Sequence, residues 1–292
     1  MPRRPGEPAR IAQTVTARPG LSRARGWRHR VAKRWYALPK LGEGAARGLE
    51  EGAAIFDFTR RVVLVTGAGG NLGRAVANAF RVAGAKTVLV DRDAKRLRQI
   101  FPELQGSAEH MLAGGTDLMA PGELDGVVAQ AVELFGRLDV LVNTVGGFRA
   151  GQPLHETPTE TWDMLLDLNL RTTLVAARAV IPTMLVQHYG KIITIAARAA
   201  MAGAANMAAY AAAKAAVLRL TESLAAEVKH AGINVNCVLP GTLDTAQNRQ
   251  ERPDADFSKW VTPEAVACVI LFLASDEARA VHGAAVPAYG LS

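Results

Sequence analysis

The chain has 292 residues, of which 49% are hydrophobic, enough to bury a large core in one domain or in two small ones. Its net charge of +7 belongs to the N-terminus: residues 1–60 hold 13 Lys and Arg against 5 Asp and Glu, and the remainder has a net charge of −1. The longest strongly apolar run, residues 266–274, is too short to cross a bilayer, and no apolar signal segment follows the early arginines. The sequence therefore predicts a cytoplasmic protein with no membrane partner.

The basic N-terminal segment, residues 1–55, contains several prolines and no sustained apolar periodicity. An Arg-rich leader poor in acidic residues is typical of an organellar transit peptide or of a nucleic-acid-binding arm. The alternative is a disordered tail, or a start codon assigned too far upstream. We interpret residues 1–55 as a disordered leader that does not bind nucleic acid, and residues 56–292 as the folded domain.

Cysteine and histidine usage gives no sign of a disulfide or a metal. Cys237 and Cys268 are 31 positions apart, which fits neither a disulfide framework nor a metal-binding motif. The six histidines are scattered, with no H-x-x-x-H or H-E-x-x-H pair. We therefore predict no metal site.

From residue 61 onward, apolar strand-like runs alternate with helical segments. The first run, VVLV at residues 62–65, leads into TGAGGNLGRAVANAF, a glycine-rich turn that passes directly into a helix. The second strand, KTVLVD, ends at Asp91. A helix to about residue 104 and a short third strand then lead to GGTDL at residues 114–118. Continuous apolar strands of this kind are typical of a parallel sheet that is buried on both faces.

The alternation continues to the C-terminus. A helix over residues 123–135 precedes the strand RLDVLVN, and a long helix over residues 160–188 precedes the strand KIITIA. The next helix carries Tyr210 and Lys214 and extends to about residue 230. It is followed by the strand INVNCVL, the segment PGTLDT, a polar loop to residue 259, a helix over residues 263–274 and a last strand over residues 284–287. The sequence thus predicts an α/β fold with a single, doubly wound parallel sheet of about seven strands and helices on both faces.

Candidate binding residues fall at the carboxyl ends of these strands, where such sheets bind their ligands. A glycine turn that opens a helix offers backbone N–H groups to a phosphate. At the end of the second strand, Asp91 can accept hydrogen bonds from the ribose hydroxyls of a dinucleotide and would repel a 2′-phosphate. NAD(H) is therefore favoured, but Arg92 can accommodate a 2′-phosphate, so NADP(H) remains an alternative. The alternative role of Asp91 is a helix N-cap for the segment that begins at residue 94.

Tyr210 and Lys214 lie four positions apart and therefore on one face of a helix. A free tyrosine loses its proton near pH ~10, and a neighbouring ammonium group lowers the pKa of a phenol. We expect Tyr210 to be a general acid or base whose pKa is lowered by Lys214. The alternative is an alanine-rich core helix that happens to expose one tyrosine and one lysine.

Together these motifs resemble the short-chain dehydrogenase/reductase family over residues 61–290. The resemblance rests on T-G-x-x-x-x-x-G (Thr66, Gly67, Gly73), Asp91, Asp117, N-x-x-G (Asn143, Gly146), Asn169, Tyr210 with Lys214, and Pro240-Gly241 with Thr245. It implies a Rossmann-type fold, hydride transfer between a nicotinamide dinucleotide and a small molecule, and assembly as a homodimer or homotetramer.

The resemblance also implies roles for individual residues. The catalytic residues would be Tyr210, Lys214 and Asn169, with Asn169 holding a proton-relay water. The substrate pocket would contain Phe148, Ala197, Arg198 and Met207. The residues expected to contact the cofactor are Gly67, Gly70, Asn71, Leu72, Gly73, Asp91, Asp117, Leu118, Asn143, Gly146, Tyr210, Lys214, Pro240, Gly241 and Thr245.

Two positions depart from the family pattern. Asn71 replaces the middle glycine of the turn, which we expect to survive because asparagine tolerates a left-handed backbone. Ala197 stands where most members have a serine that donates a hydrogen bond to the substrate oxygen. The segments IAARAAMAGAANMAAY, VGGF and PDADFSKW resemble quinonoid dihydropteridine reductases, which also lack this serine and whose activated substrate needs less help. The sequence therefore predicts an NAD(P)-dependent oxidoreductase for a carbonyl, alcohol or quinonoid substrate, or alternatively a cofactor-binding pseudoenzyme with weak or no turnover.

Overall fold

A computed structural model describes residues 56–291. The predicted leader, residues 1–55, lies outside the described residues. The described part contains a seven-stranded sheet in which every neighbouring pair of strands is parallel. The strands are β1 (Val62–Thr66), β2 (Lys86–Asp91), β3 (His110–Gly114), β4 (Val140–Asn143), β5 (Gly190–Ile195), β6 (Ile233–Pro240) and β7 (Ala285–Ala288). This confirms the predicted single parallel sheet.

The strand order is β3-β2-β1-β4-β5-β6-β7. The chain builds outward from β1 to β3, then crosses to the other side of β1 and builds outward again from β4 to β7. The strand order therefore reverses between β1 and β4, where Thr66 lies opposite Asn143. In a sheet of this kind, the crevice at the carboxyl ends of the strands beside the reversal is the place where ligands bind.

Helices cover both faces of the sheet, as predicted. They are α1 (Asn71–Val82), α2 (Ala94–Ile100), α3 (Glu123–Phe135), α4 (Thr159–Leu166), α5 (Thr172–Gln187), α6 (Ala208–Val228), α7 (Ala246–Glu251) and α8 (Pro263–Ala274). Helix α1 packs on α8 over one face, and α3 packs on α5 over the other. Among these helices, none is both long and apolar enough to cross a membrane.

Side chains of β1 show why its sequence is apolar without alternation. Val63 and Val65 belong to the core beneath α1 and α8, whereas Val62 and Leu64 belong to the core beneath α3 and α5. All four are buried. Because successive side chains of a strand point to opposite faces, a strand covered on both sides must be apolar at every position.

Two predicted segments differ from the structure. The long helix expected over residues 160–188 is divided into α4 and α5 by one turn of π-helix, Asp167–Arg171. The polar loop expected before residue 259 contains the short helix α7, which Thr245 caps by accepting a hydrogen bond from the backbone N–H of Asn248 (3.2 Å). Both differences change the surroundings of the candidate site.

Candidate functional site

The glycine turn between β1 and α1 requires glycine where the chain is most crowded. Gly67 has a left-handed backbone with φ of 66°, and a Cβ atom on Gly73 would overlap the carbonyl oxygen of Gly67. Gly73 therefore lets the first turn of α1 lie directly against the turn. Asn71 is exposed and is the first residue of α1. The expected reason for its tolerance was wrong: this position has ordinary helical geometry, so no left-handed residue is needed there.

The N-terminus of α1 has backbone donors without a side-chain acceptor. Its N-cap is Gly70, which has no side chain to cap the helix, and its first turn has no acidic residue. The first N–H groups of a helix have no partner within the helix, and the helix dipole gives this end a partial positive charge. Leu72 and Gly73 supply two of these groups and are both buried by neighbouring residues. This end of α1 can therefore hold a phosphate.

The carboxylate of Asp91 joins the end of β2 to the glycine turn. One oxygen accepts a hydrogen bond from the backbone N–H of Gly69 (2.8 Å), and the other accepts one from the backbone N–H of Asp93 (2.9 Å). The cap of α2 is Asp93, which accepts a hydrogen bond from the backbone N–H of Arg96 (2.9 Å). The alternative role of Asp91 as that N-cap is therefore wrong.

Asp117 and Leu118 follow β3 at the same edge of the sheet as Asp91. The carboxylate of Asp117 accepts a hydrogen bond from the backbone N–H of Met119 (2.9 Å), while its own N–H donates to Glu123 (2.7 Å). Leu118 is buried in the core. Asp117 is partly exposed, so it keeps a face toward solvent that a ligand can reach.

Asn143 is buried at the reversal of the strand order. Its Oδ1 accepts a hydrogen bond from the hydroxyl of Thr66 (2.5 Å), and its Nδ2 donates to the hydroxyl of Thr173 (2.9 Å). The side chain thus connects β4 to β1 and to α5. Both ends of its amide are used within the fold, which gives Asn143 a structural role next to the expected cofactor site.

Gly146, Asn169 and Lys214 meet behind the carboxyl end of β4. A Cβ atom on Gly146 would lie 2.9 Å from Oδ1 of Asn169 and 3.1 Å from Nζ of Lys214, so glycine permits this close approach. Both ends of the Asn169 amide form hydrogen bonds. Its oxygen accepts one from the N–H of Gly147 (3.1 Å), and its nitrogen donates to the carbonyl groups of Gly147 (3.1 Å) and Leu165 (2.9 Å). The turn of π-helix places Asn169 in position to hold this loop.

Burial sets the protonation of the two residues expected to do the chemistry. It raises the pKa of Tyr210 to about 12 and lowers the pKa of Lys214 to about 8 against a weak opposing effect of Cys237. The prediction that Lys214 lowers the pKa of Tyr210 is wrong for the protein alone, because burial penalises both charged forms. Nζ of Lys214 donates to the carbonyl of Ile195 (3.0 Å), which fixes the amine at the end of β5.

A cleft of about 430 Å³ opens beside Tyr210. The ring of Phe148 stands edge-on to the ring of Tyr210, with the centroids 4.9 Å apart and the planes at 87°. All four residues predicted for the substrate pocket line this cleft with Tyr210: Phe148, Ala197, Arg198 and Met207. Pro240 and Gly241, which were predicted to contact the cofactor, line it as well. The structure therefore brings these residues together at the carboxyl edge of the sheet.

One wall of the cleft consists of residues after β6 and on α7: Thr242, Leu243, Asn248, Glu251 and Arg252. The sequence predicts a loop in this segment, so the helix α7 was missed. A usable signal was present, because Thr245 is a good N-cap residue and precedes the helix-forming segment AQNRQE. Thr245 itself caps α7, and Thr242 is the threonine that lines the cleft.

A cavity of similar size, about 460 Å³, lies at the opposite edge of the sheet. Its charged groups pair with one another. The buried carboxylate of Asp139 binds both Arg61 and Arg137, and Asp276 accepts hydrogen bonds from Arg61 and Tyr189. These pairs serve the structure. In the described part of the chain, no three His, Cys, Asp or Glu side chains are grouped so that they could hold a metal ion.

Comparison with known proteins identifies similar chains. A family model described as short chain dehydrogenase matches residues 61–256. The chain is 35% identical over 232 residues to the (2S)-[(R)-hydroxy(phenyl)methyl]succinyl-CoA dehydrogenase subunit BbsD of Thauera aromatica, covering 76% of this chain and 92% of the relative. It is 33% identical over 239 residues to the 2-(R)-hydroxypropyl-CoM dehydrogenase of Xanthobacter autotrophicus, covering 77% and 96%. The crystal structure of gox2181 has a TM-score of 0.74 and 28% identity, covering 82% of this chain and 98% of that one.

Proposed function

The chain belongs to the short-chain dehydrogenase family, and on that premise we propose that it is an NAD(H)-dependent oxidoreductase in which Tyr210 is the acid or base. Family membership supports oxidoreductase activity and the binding of NAD(P)(H) in general. The observation that carries the specific proposal is the position of Tyr210 in a cleft at the carboxyl edge of the sheet, with the buried Lys214 one helical turn away. The substrate is a small molecule whose carbonyl is reduced or whose alcohol is oxidised.

The residues of the glycine turn fit a dinucleotide. Gly67, Gly70 and Gly73 allow the backbone of the turn to pack closely against the start of α1. The uncapped end of α1 supplies N–H donors for the pyrophosphate. Asp91 lies at the end of β2, where one oxygen accepts a hydrogen bond from Gly69 of the turn and the other accepts one from Asp93. Each oxygen retains a lone pair for a ribose hydroxyl. When bound there, the dinucleotide would supply or take up the hydride.

Tyr210 would transfer the proton that accompanies the hydride. With a pKa of about 12, its hydroxyl is protonated at neutral pH, so it can donate a proton to the oxygen of a carbonyl as that carbon is reduced. In the reverse direction it must first lose the proton. The ammonium form of Lys214, which predominates below its pKa of about 8, would then stabilise the phenolate.

Asn169 would act on the geometry of the site. Its side chain holds the loop at Gly147 through two hydrogen bonds, and a Cβ atom on Gly146 would meet both Asn169 and Lys214. Because both N–H donors of the amide are used in this way, the amide could bind a proton-relay water only through the second lone pair of Oδ1. We assign Asn169 the role of a positioning residue.

The carbonyl or alcohol version of the reaction has more support than the quinonoid version. The two relatives named above are dehydrogenases of hydroxylated compounds. The dinucleotide is proposed to be NAD(H), because a carboxylate at the end of β2 repels a 2′-phosphate. Replacing Asp91 by serine should shift the preference toward NADPH by at least about tenfold, which corresponds to about 1.4 kcal/mol. An unchanged ratio of kcat/KM for NADH and NADPH would remove Asp91 from this role.

A pseudoenzyme is the second candidate, and Ala197 is the observation that favours it. Ala197 lines the cleft beside Tyr210, and its methyl group cannot donate a hydrogen bond to the substrate oxygen. Loss of one such donor lowers turnover by about 10² to 10³. In that case the chain would bind NADH and turn over slowly or not at all.

A screen of turnover together with binding distinguishes the two candidates. The full chain is titrated with NADH by fluorescence and then assayed for NADH oxidation against simple ketones, oxo acids, quinones and quinonoid dihydropterin. Binding with turnover supports the oxidoreductase. Binding without turnover on any class supports the pseudoenzyme, and absence of NADH or NADPH binding contradicts both.

We also propose a homodimer or homotetramer in the cytoplasm, following what is common in the family. Light scattering on the purified chain tests the assembly, and a monomer at micromolar concentration would contradict it. Fractionation of cells that express the full chain tests the location, and recovery of a shortened chain in an organelle would identify residues 1–55 as a transit peptide.

A further inference from the structure

Two arginines in the cleft beside Tyr210 have no carboxylate partner. Arg198 and Arg252 both line the cleft, and among the residues that the structure describes neither forms an ion pair. We propose that they select a substrate that carries a carboxylate, binding it while its reactive carbon faces Tyr210. This proposal deepens the proposed oxidoreductase function and rests on it.

Arg198 is oriented by contact with an aromatic ring and not by a carboxylate. It begins the short turn that follows β5, directly after Ala197. Its guanidinium carbon lies 5.6 Å from the centre of the Tyr289 ring, which is within the range of a cation–π contact. Such a contact orients the guanidinium group and leaves its N–H groups available for a carboxylate.

Arg252 differs from the arginine one turn before it. Arg249 binds the carboxylate of Asp244 through two hydrogen bonds of 2.6 and 2.7 Å and is neutralised. Arg252, at the end of α7, has no carboxylate partner among the described residues and lines the cleft. An unpaired arginine in a concave site is suited to a planar anion, because its donors match the two oxygens of a carboxylate.

The charges around the cleft leave it positive. Its acidic lining residue is Glu251, whose carboxylate accepts a hydrogen bond from Gln247 within α7 (2.9 Å). The lining of the cleft therefore contains two guanidinium groups and one carboxylate. The rest of the lining is largely apolar, with Phe148 and Leu243 among its members. This combination fits a substrate with an apolar body and an anionic end.

The two arginines lie away from the end of α1 that is expected to hold the pyrophosphate of the dinucleotide. The cleft is lined by residues that follow β4, β5 and β6, and by α6 and α7, and no residue of the glycine turn contributes to it. The phosphates of a dinucleotide at α1 are therefore not the anion that these arginines would bind. An anchored carboxylate would also orient the substrate, which offsets part of the loss caused by Ala197.

The test uses matched pairs of oxo acids and their methyl esters, such as 4-oxopentanoate and its ester. The full chain, Arg198→Gln, Arg252→Gln and the control Arg279→Gln are compared; Arg279 is exposed and does not line the cleft. Initial rates give KM, and calorimetry at saturating NAD⁺, which has no hydride to transfer to an oxo acid, gives the dissociation constant of each ligand independently of turnover. We expect the acid to bind at least about tenfold more tightly than the ester, since only the acid offers the guanidinium groups a charged acceptor for their hydrogen bonds. Each cleft variant should remove about tenfold of this preference.

Several outcomes would overturn the proposal. These are equal binding of acid and ester, binding of neither, an unchanged preference in both cleft variants, or weaker binding of NADH in the cleft variants, which would assign the arginines to the cofactor. If the acid is preferred and the cleft variants remove the preference, but no ligand is turned over, the binding proposal holds and the oxidoreductase function fails.

Discussion

Replacing Lys214 by methionine tests the electrostatics of the site through protein stability. Lys214 is fully buried, and burial lowers its pKa from 10.5 to about 8. The unfolded chain therefore retains this proton at pH values at which the folded protein has released it. Stability rises with pH wherever the unfolded state binds more protons. The destabilisation caused by Lys214 is thus complete below about pH 8 and disappears as the pH rises toward about 10.5.

The size of the effect follows from the shift of the pKa. A difference of about 2.5 pKa units corresponds to about 3 kcal/mol at 1.36 kcal/mol per unit, and about 2 kcal/mol of it develops between pH ~7 and pH ~9.5. Methionine has no proton to exchange and is of similar length. Its loss of the hydrogen bond to Ile195 (3.0 Å) costs about 1–3 kcal/mol at every pH, so it shifts the curve without changing its slope.

The assay is urea unfolding of the wild type and of Lys214→Met at several pH values between ~7 and ~9.5. Titrating groups that do not interact with Lys214 are common to both proteins and cancel in the difference. We expect the free energy of unfolding of the wild type to gain about 2 kcal/mol relative to the variant over this range. The control is Lys229→Met, at the end of the same helix, where the lysine is exposed; its curve should run parallel to that of the wild type. Parallel curves for the wild type and Lys214→Met would refute the depressed pKa.

Three further substitutions probe the site. Gly73→Ala should lower the free energy of unfolding by about 1–3 kcal/mol, because its Cβ would overlap the carbonyl of Gly67. The control Gly126→Ala, in open space on α3, should raise the free energy of unfolding by about 1 kcal/mol. Equal effects of the two substitutions in urea unfolding would argue against crowding at Gly73. Asn143→Ala should cost about 2–3 kcal/mol by removing two buried hydrogen bonds, and a thermal midpoint like that of the wild type would contradict its structural role. Ala197→Ser should raise kcat on simple ketones with little change in NADH affinity, and an unchanged kcat would mean that another group already contacts the substrate oxygen.

Sequence patterns were sufficient to predict the fold because the evidence was repeated along the chain. Each predicted strand is present in the parallel sheet, and the prediction of the family is confirmed. The glycine turn and Asp91 were placed correctly relative to their strands, since a strand end and the turn after it are neighbours in the chain. Their positions in the chain follow from the local sequence, whereas the hydrogen bond between Asp91 and Gly69 joins residues that are 22 positions apart.

Features that depend on distant contacts were missed. The division of the helix over residues 160–188 arises because Asn169 bonds to the loop at Gly147, 22 residues earlier, and the local sequence is helical throughout. The shift of the pKa of Tyr210 follows from burial, a property of the packed fold. The helix α7 was missed because its polar sequence is equally typical of a loop, although Thr245 marked its start.

The most direct measurement is the comparison of Tyr210→Phe with the wild type and with Tyr189→Phe. Both tyrosines are partly buried, but the hydroxyl of Tyr189 donates to Asp276 (2.9 Å) at the opposite edge of the sheet. NADH affinity is measured by fluorescence titration, and turnover is measured with the best substrate from the screen. We predict that Tyr210→Phe binds NADH like the wild type and loses turnover by about 10²- to 10⁴-fold, while Tyr189→Phe keeps its turnover. Turnover by Tyr210→Phe at a rate near that of the wild type would contradict its role as the acid or base.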